Sequence, residues 1–143
     1  MKSITNHCDK VTDLTLFAEV EAKYSIRIRD DIKEFLTANS GGYPVKDLVK
    51  VDGEEYEIRV FLSLDCANKN YYIEKPLTFF LDNTKGKIVP IGLDSGDNYY
   101  CVNNETGKVY YWSASDNQYY CIGKSIAEFT EYFESVSYTH LRA

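Results

Sequence analysis

Apolar positions recur at helical spacing at both ends of the chain and in short alternating or β-rich runs between them. Near the start, Leu14, Phe17, Ala18 and Glu21 share one helical face, the first three forming an apolar stripe, and Thr12 or Asp13 can cap that helix. In "IRIRDDIKEFLTANSGGYP", Ile28, Ile32, Phe35 and Leu36 predict a second helix with Asp30 and Asp31 in its first turn. Asn39-Ser40-Gly41-Gly42 stops it, the glycines supplying positive φ, and Pro44 forbids resumption. "EEYEIRVFLSL" then places Tyr56, Ile58, Val60 and Leu62 on one side of an alternating strand. Residues 65–82 follow no single period, and "NKNYYIEKPLTFFLDN" fits a short helix, an irregular crossover or a strand after Pro76.

The later half is rich in β-branched and aromatic residues. "KIVPIGL", "NYYCV", "KVYYW" and "QYYCIG" are separated by Gly, Asn and Asp turns, which predicts an antiparallel meander. Asn103 to Gly107 has hairpin-loop length, with a positive φ expected at Gly107. Ser125-Ile126-Ala127-Glu128 has the form of a capping box, and Ile126, Phe129, Tyr132, Phe133 and Val136 stripe the helix that follows. Helices flanking a mostly antiparallel sheet define an α+β fold, and 143 residues suffice for one core, so residues 1–143 are read as a single domain.

Charge and chemistry narrow the functional classes. A net charge of −6 without a basic patch argues against a nucleic-acid surface. No run approaches a membrane span, and the N-terminus lacks a signal-peptide core, so a soluble cytoplasmic protein without membrane contact is expected. Cys8, Cys66, Cys101 and Cys121 are widely spaced; they are read as free thiols, Cys101 and Cys121 packing as small hydrophobes. His7 and His140 lie near opposite ends, leaving no base to activate a cysteine. "LDNTKGK" opens like a calcium loop, but Lys85 and a missing acidic position count against it, and Gly41-Gly42 and Gly86 lack the Lys-Ser/Thr of a phosphate loop. No catalytic residue, cofactor or metal is therefore expected.

Asp94-Ser95-Gly96-Asp97 is the best candidate for a paired-carboxylate site, yet Asp, Ser, Gly and Asn are also the residues that build a turn. The turn is the favoured reading, with a contact surface beside Tyr99 and Tyr100 as the alternative. Thirteen tyrosines exceed what a core of this size needs. The doublets at 71–72, 99–100, 110–111 and 119–120 place one ring on each face of any extended segment. Outward rings either pair across strands or form an exposed aromatic surface ringed by acid.

Four segments in register, "FLTANSGGYP", "IVPIGLDSGDNYYCV", "GKVYYW" and "SIAEFTEYF", resemble the SUKH superfamily of Smi/Knr-like proteins over about residues 12–135. "NSGG" stands where that family commonly has Asn-Gly-Gly. The resemblance implies a single α+β domain, its sheet packed by N-terminal helices and a C-terminal helix. It also implies a non-enzymatic immunity protein that binds a cognate toxin of a polymorphic or contact-dependent system, many such toxins being nucleases. A regulatory or interaction module of the same fold is the alternative. "SYTHLRA", at residues 137–143, breaks the helical stripe and resembles a translated adaptor tail, so His140 and Arg142 support nothing. For a basic toxin, the contact residues expected are Asp94, Asp97, Tyr99, Tyr111, Trp112 and Asp116.

Overall fold

A computed structural model describes residues 4–11 and 14–140, with side chains up to Phe133. The proposed caps Thr12 and Asp13, and the tail residues 141–143, lie outside the described residues, as does the side chain of Val136. Backbone helix continues to His140.

Helix α1 (Thr15–Tyr24) starts after Leu14, which is exposed, as is Ala18; the helix instead buries Phe17 and Val20. The expected stripe was thus displaced, because Leu14 precedes the first helical turn. Helix α2 (Asp30–Asn39) behaves as predicted, burying Ile32, Phe35 and Leu36 completely with Ile28 just ahead of it. Its stop is a type II turn: Ser40 has φ −53° and ψ 118°, Gly41 has φ 64°, and the Gly42 N–H donates to the Asn39 carbonyl at 3.0 Å.

The expected positive φ at Gly42 is absent, since only the third residue of such a turn needs one. Gly42 is required for space. A Cβ there would lie 2.7 Å from Thr5 Cβ and 2.9 Å from Cys8 Sγ. Thr5 belongs to β1 (Thr5–Asn6), which pairs with β2 (Tyr43–Pro44) immediately beyond Gly42, so it cannot retreat alone. Gly42→Val is expected to cost about 1–3 kcal/mol through overpacking. A chemical melt checks this; a midpoint unchanged from wild type would mean that β1 yields freely.

The predicted strand over 54–64 is divided between two sheets. β3 (Leu48–Val51) and β4 (Glu54–Glu57) form a hairpin, whereas β5 (Val60–Phe61) opens the main sheet. Alternation ends because Val60 to Leu64 run between packed layers, every one of them buried.

Helix α3 (Glu74–Thr84) resolves the ambiguous segment as a helix. Pro76 is tolerated because first-turn N–H groups have no helical acceptor.

The meander appears as expected in β6 (Ile88–Leu93), β7 (Tyr99–Asn103), β8 (Val109–Ser113) and β9 (Gln118–Gly123), antiparallel in the order β5-β6-β7-β8-β9. Gly107 has φ 82°, as predicted for its loop. Helix α4 (Ile126–His140) is capped by Ser125 Oγ, which accepts the Glu128 N–H at 3.1 Å; the Glu128 carboxylate reaches the Lys124 N–H rather than that of Ser125. Phe129 and Phe133 of this helix join Phe35 and Phe61 in the main core. The fold is α+β, with helices packed on an antiparallel sheet.

Candidate functional site

Register splits the tyrosine doublets at 99–100, 110–111 and 119–120 between two ladders, whereas Tyr71-Tyr72 lies in a turn outside the meander. Tyr99, Trp112 and Tyr119 are cross-strand neighbours on one face, and Tyr100, Tyr111 and Tyr120 on the other. Both alternatives for the doublets hold in part: Tyr110 pairs edge-on with Tyr119 at 6.2 Å, while Tyr120 remains exposed.

On the first face, Trp112 is buried in a cluster with Phe80, Ile88 and Cys101 beneath α3, and its indole N–H donates to Asn117 Oδ1 at 2.9 Å. Phe79, half exposed on α3, stacks edge-on against it at 5.8 Å. A cleft of about 460 Å³ opens here, with Tyr71, Phe79, Tyr99 and Trp112 in its walls and Lys75 and Asp97 among its polar groups. Burial, then the Asp97 charge, pushes the Tyr99 hydroxyl upward in pKa. Cys101 lies fully buried here, so its thiol is raised well above its ordinary value, the reverse of an activated nucleophile. Cys121, by contrast, is exposed and does not pack as expected.

On the second face, the turn after β6 is built around Asp94. Its Oδ1 accepts the N–H groups of Gly96 and Asn98, both at 2.9 Å, and its Oδ2 accepts the Asn98 amide at 3.1 Å and the Tyr111 hydroxyl at 2.7 Å. Asp94 is accordingly 9% exposed, a structural staple of the turn. Asp97, at φ 64°, completes the bend. The loop is therefore a turn whose first carboxylate is already occupied by its own chain.

Beside it lies a groove of about 570 Å³ between β4 and the face of β8 and β9. Among the described residues, its lining is four carboxylates, Glu54, Glu55, Glu57 and Asp94, and three tyrosines, Tyr56, Tyr111 and Tyr120. Tyr56 meets Tyr111 edge-on at 5.4 Å, and the Tyr120 hydroxyl donates to Asp116 at 2.6 Å. That bond lowers the Asp116 pKa and raises that of Tyr120. Burial and then neighbouring carboxylates raise Tyr56, while burial and the bond to Asp94 raise Tyr111. The described lining residues thus carry acidic groups and no basic one.

The six expected contact residues thus fall into two sets. Asp94 and Tyr111 line the acidic groove and Asp116 adjoins it through Tyr120; Asp97, Tyr99 and Trp112 line the aromatic cleft. Sequence reasoning missed Glu54, Glu55, Tyr56 and Glu57, although three glutamates around one tyrosine in "EEYE" were a visible signal.

The profile of the SMI1 / KNR4 family (SUKH-1) matches residues 12–132. The chain belongs to this family. Among solved structures, a protein from Pseudomonas syringae pv. tomato shares the fold, with a TM-score of 0.57 at 20% identity over 93% of this chain and 91% of that one. No curated protein matches. Membership of the SMI1 / KNR4 family is consistent with a toxin-immunity role and supports a protein partner. Among the described residues, no helix is long and apolar enough to cross a membrane, and no group of three or more His, Cys, Asp or Glu could hold a metal ion.

Proposed function

We propose that this SMI1 / KNR4 family member is a cytoplasmic immunity protein that neutralises a cognate toxin of a bacterial polymorphic system by stoichiometric capture. The observation that carries the reading is the groove whose described lining consists of carboxylates and tyrosines. Such a surface suits a basic protein, because carboxylates steer the encounter and tyrosines bury area while keeping a hydroxyl in use. A nuclease fits as the toxin, since any nucleic-acid-binding face must carry positive charge. Chemistry by the immunity protein itself is not required: covering the toxin's substrate face suffices.

The test is co-expression with toxin domains encoded beside this chain, followed by purification, a toxicity assay and binding kinetics. A 1:1 complex that protects cells is expected. Exposed charges are screened over about 8 Å at physiological salt, so raising ionic strength should slow association by about tenfold while dissociation changes less. Glu55→Lys at the groove and Asp97→Lys at the cleft rank the two faces, the one that binds giving the larger loss of association rate. Absence of any complex would favour a regulatory module of the same fold. Association indifferent to salt and to both substitutions would remove the electrostatic part of the proposal.

A further inference from the structure

We propose that the groove between β4 and the β8–β9 hairpin seats an arginine side chain of the partner protein. The inference rests on the reading of this chain as a protein binder and names the chemistry of what it binds. Groove hydrogen bonding is one-sided. The Tyr111 hydroxyl already donates to Asp94 and the Tyr120 hydroxyl to Asp116, which fixes both rings and uses their donors. Glu57 accepts from the Ser95 N–H at 3.0 Å and from the Ser95 hydroxyl. Apart from the Tyr56 hydroxyl, what the lining still offers is carboxylate oxygen and aromatic face.

Among the described residues, no cation forms an ion pair with these carboxylates, although Lys50 stands across the β3–β4 ladder from Glu55. No Lys or Arg among the described residues lines the groove. The ion pairs among the described residues join Arg27 to Asp30, Arg29 to Asp31 and Lys33 to Glu21, all away from it. Acceptors therefore dominate, and an occupant that brings several donors, a positive charge and a flat surface matches them best. Guanidinium has all three: five N–H donors in a planar fork, permanent charge, and stacking on aromatic rings. An ammonium group has the charge but neither the plane nor the fork. Tyr56 and Tyr111, set edge-on at 5.4 Å, present rings at an angle to one another, so a planar cation can stack on one and turn its N–H edge toward the glutamates. The glutamates of β4 also blunt the outer edge of the β3–β4 hairpin against strand addition, but edge protection gives no reason for three tyrosines to line the same depression.

The probe is acetyl-Gly-Arg-Gly-amide, titrated into protein carrying labelled tyrosine rings, alongside the lysine peptide and the citrulline peptide, which keeps the shape without the charge. At about 10 mM a contact of millimolar Kd approaches saturation. The arginine peptide should shift the ring resonances of Tyr56, Tyr111 and Tyr120 saturably. The lysine peptide should bind several-fold more weakly, and citrulline not at all. Glu54→Gln with Glu55→Gln, both on exposed positions, should weaken the arginine response about tenfold with an unchanged melt. Missing ring shifts, equal shifts with citrulline, or shifts confined to Tyr99 would overturn the inference. A toxin captured with unchanged affinity by the Glu54→Gln, Glu55→Gln variant would also overturn it, while leaving the immunity reading intact.

Discussion

Trp112→Ala is expected to destabilise the protein by about 3–5 kcal/mol, a loss seen in melting before it is seen in binding. The ring is 9% exposed and packs against Phe80 at 5.2 Å, Phe79 at 5.8 Å and Tyr99 at 6.3 Å. Its removal opens a cavity beneath α3 and deprives Asn117 Oδ1 of a donor. Because α3 lies against β6 with Trp112 in its footing, the aromatic cleft loosens at the same time. Trp112→Phe keeps one aromatic ring in the cluster but loses part of the indole's bulk together with its N–H, so it should cost less, about 1–3 kcal/mol. Denaturant melts of both variants separate the contributions. If Trp112→Ala melts like wild type yet fails to hold a toxin, the indole acts as a contact residue and its packing beneath α3 is dispensable. A binding assay alone would confuse the two, since a partly unfolded immunity protein also fails to protect.

Which parts of this molecule were legible in its sequence follows from where periodicity survives packing. The meander was readable because each strand is short, aromatic or β-branched, and ends in Asn, Asp or Gly. Helix α2 was readable because one face is wholly apolar and its stop is a turn with a fixed chemical demand. The strand at 54–64 misled because apolar and polar residues alternate unbroken from Tyr56 through Arg59 to Val60, and only beyond that point are Val60 to Leu64 all buried. Helix α3 carried the right spacing in Leu77, Phe80 and Leu81, but Phe79 stays half exposed, which makes "LTFF" look like a strand. The site was half legible. Asp94 announced a turn, and its bond to Tyr111 follows from the register of β7 and β8. The groove needed Tyr56 and Tyr111 to meet across a long stretch of chain, and no local pattern reports that.

Gly41→Val should cost about 3–5 kcal/mol, enough to consume much of the 5–15 kcal/mol that holds a domain of this size. Two effects combine. At φ 64° a β-branched residue carries about 1–3 kcal/mol of backbone strain. Its Cβ would also fall 2.1 Å from Asp9 Oδ2, and that oxygen is not free to move. It accepts the Ser63 hydroxyl at 2.6 Å and the Asn68 amide at 2.7 Å. Asn68 in turn receives the N–H groups of Tyr71 at its side-chain oxygen and Tyr72 at its carbonyl, shaping the segment that supplies Tyr71 to the cleft. Displacing Asp9 therefore reaches from the α2 stop to a wall of the cleft. Double substitution divides the loss: with Asp9→Ala, the added cost of Gly41→Ala should shrink to the strain of the left-handed backbone, about 1–2 kcal/mol. Against the native Asp9, Gly41→Ala should cost clearly more, because the carboxylate must leave two donors. Urea melts of the four proteins measure the coupling. Equal costs of Gly41→Ala in both backgrounds would show that Asp9 swings aside without loss and that strain alone fixes glycine here.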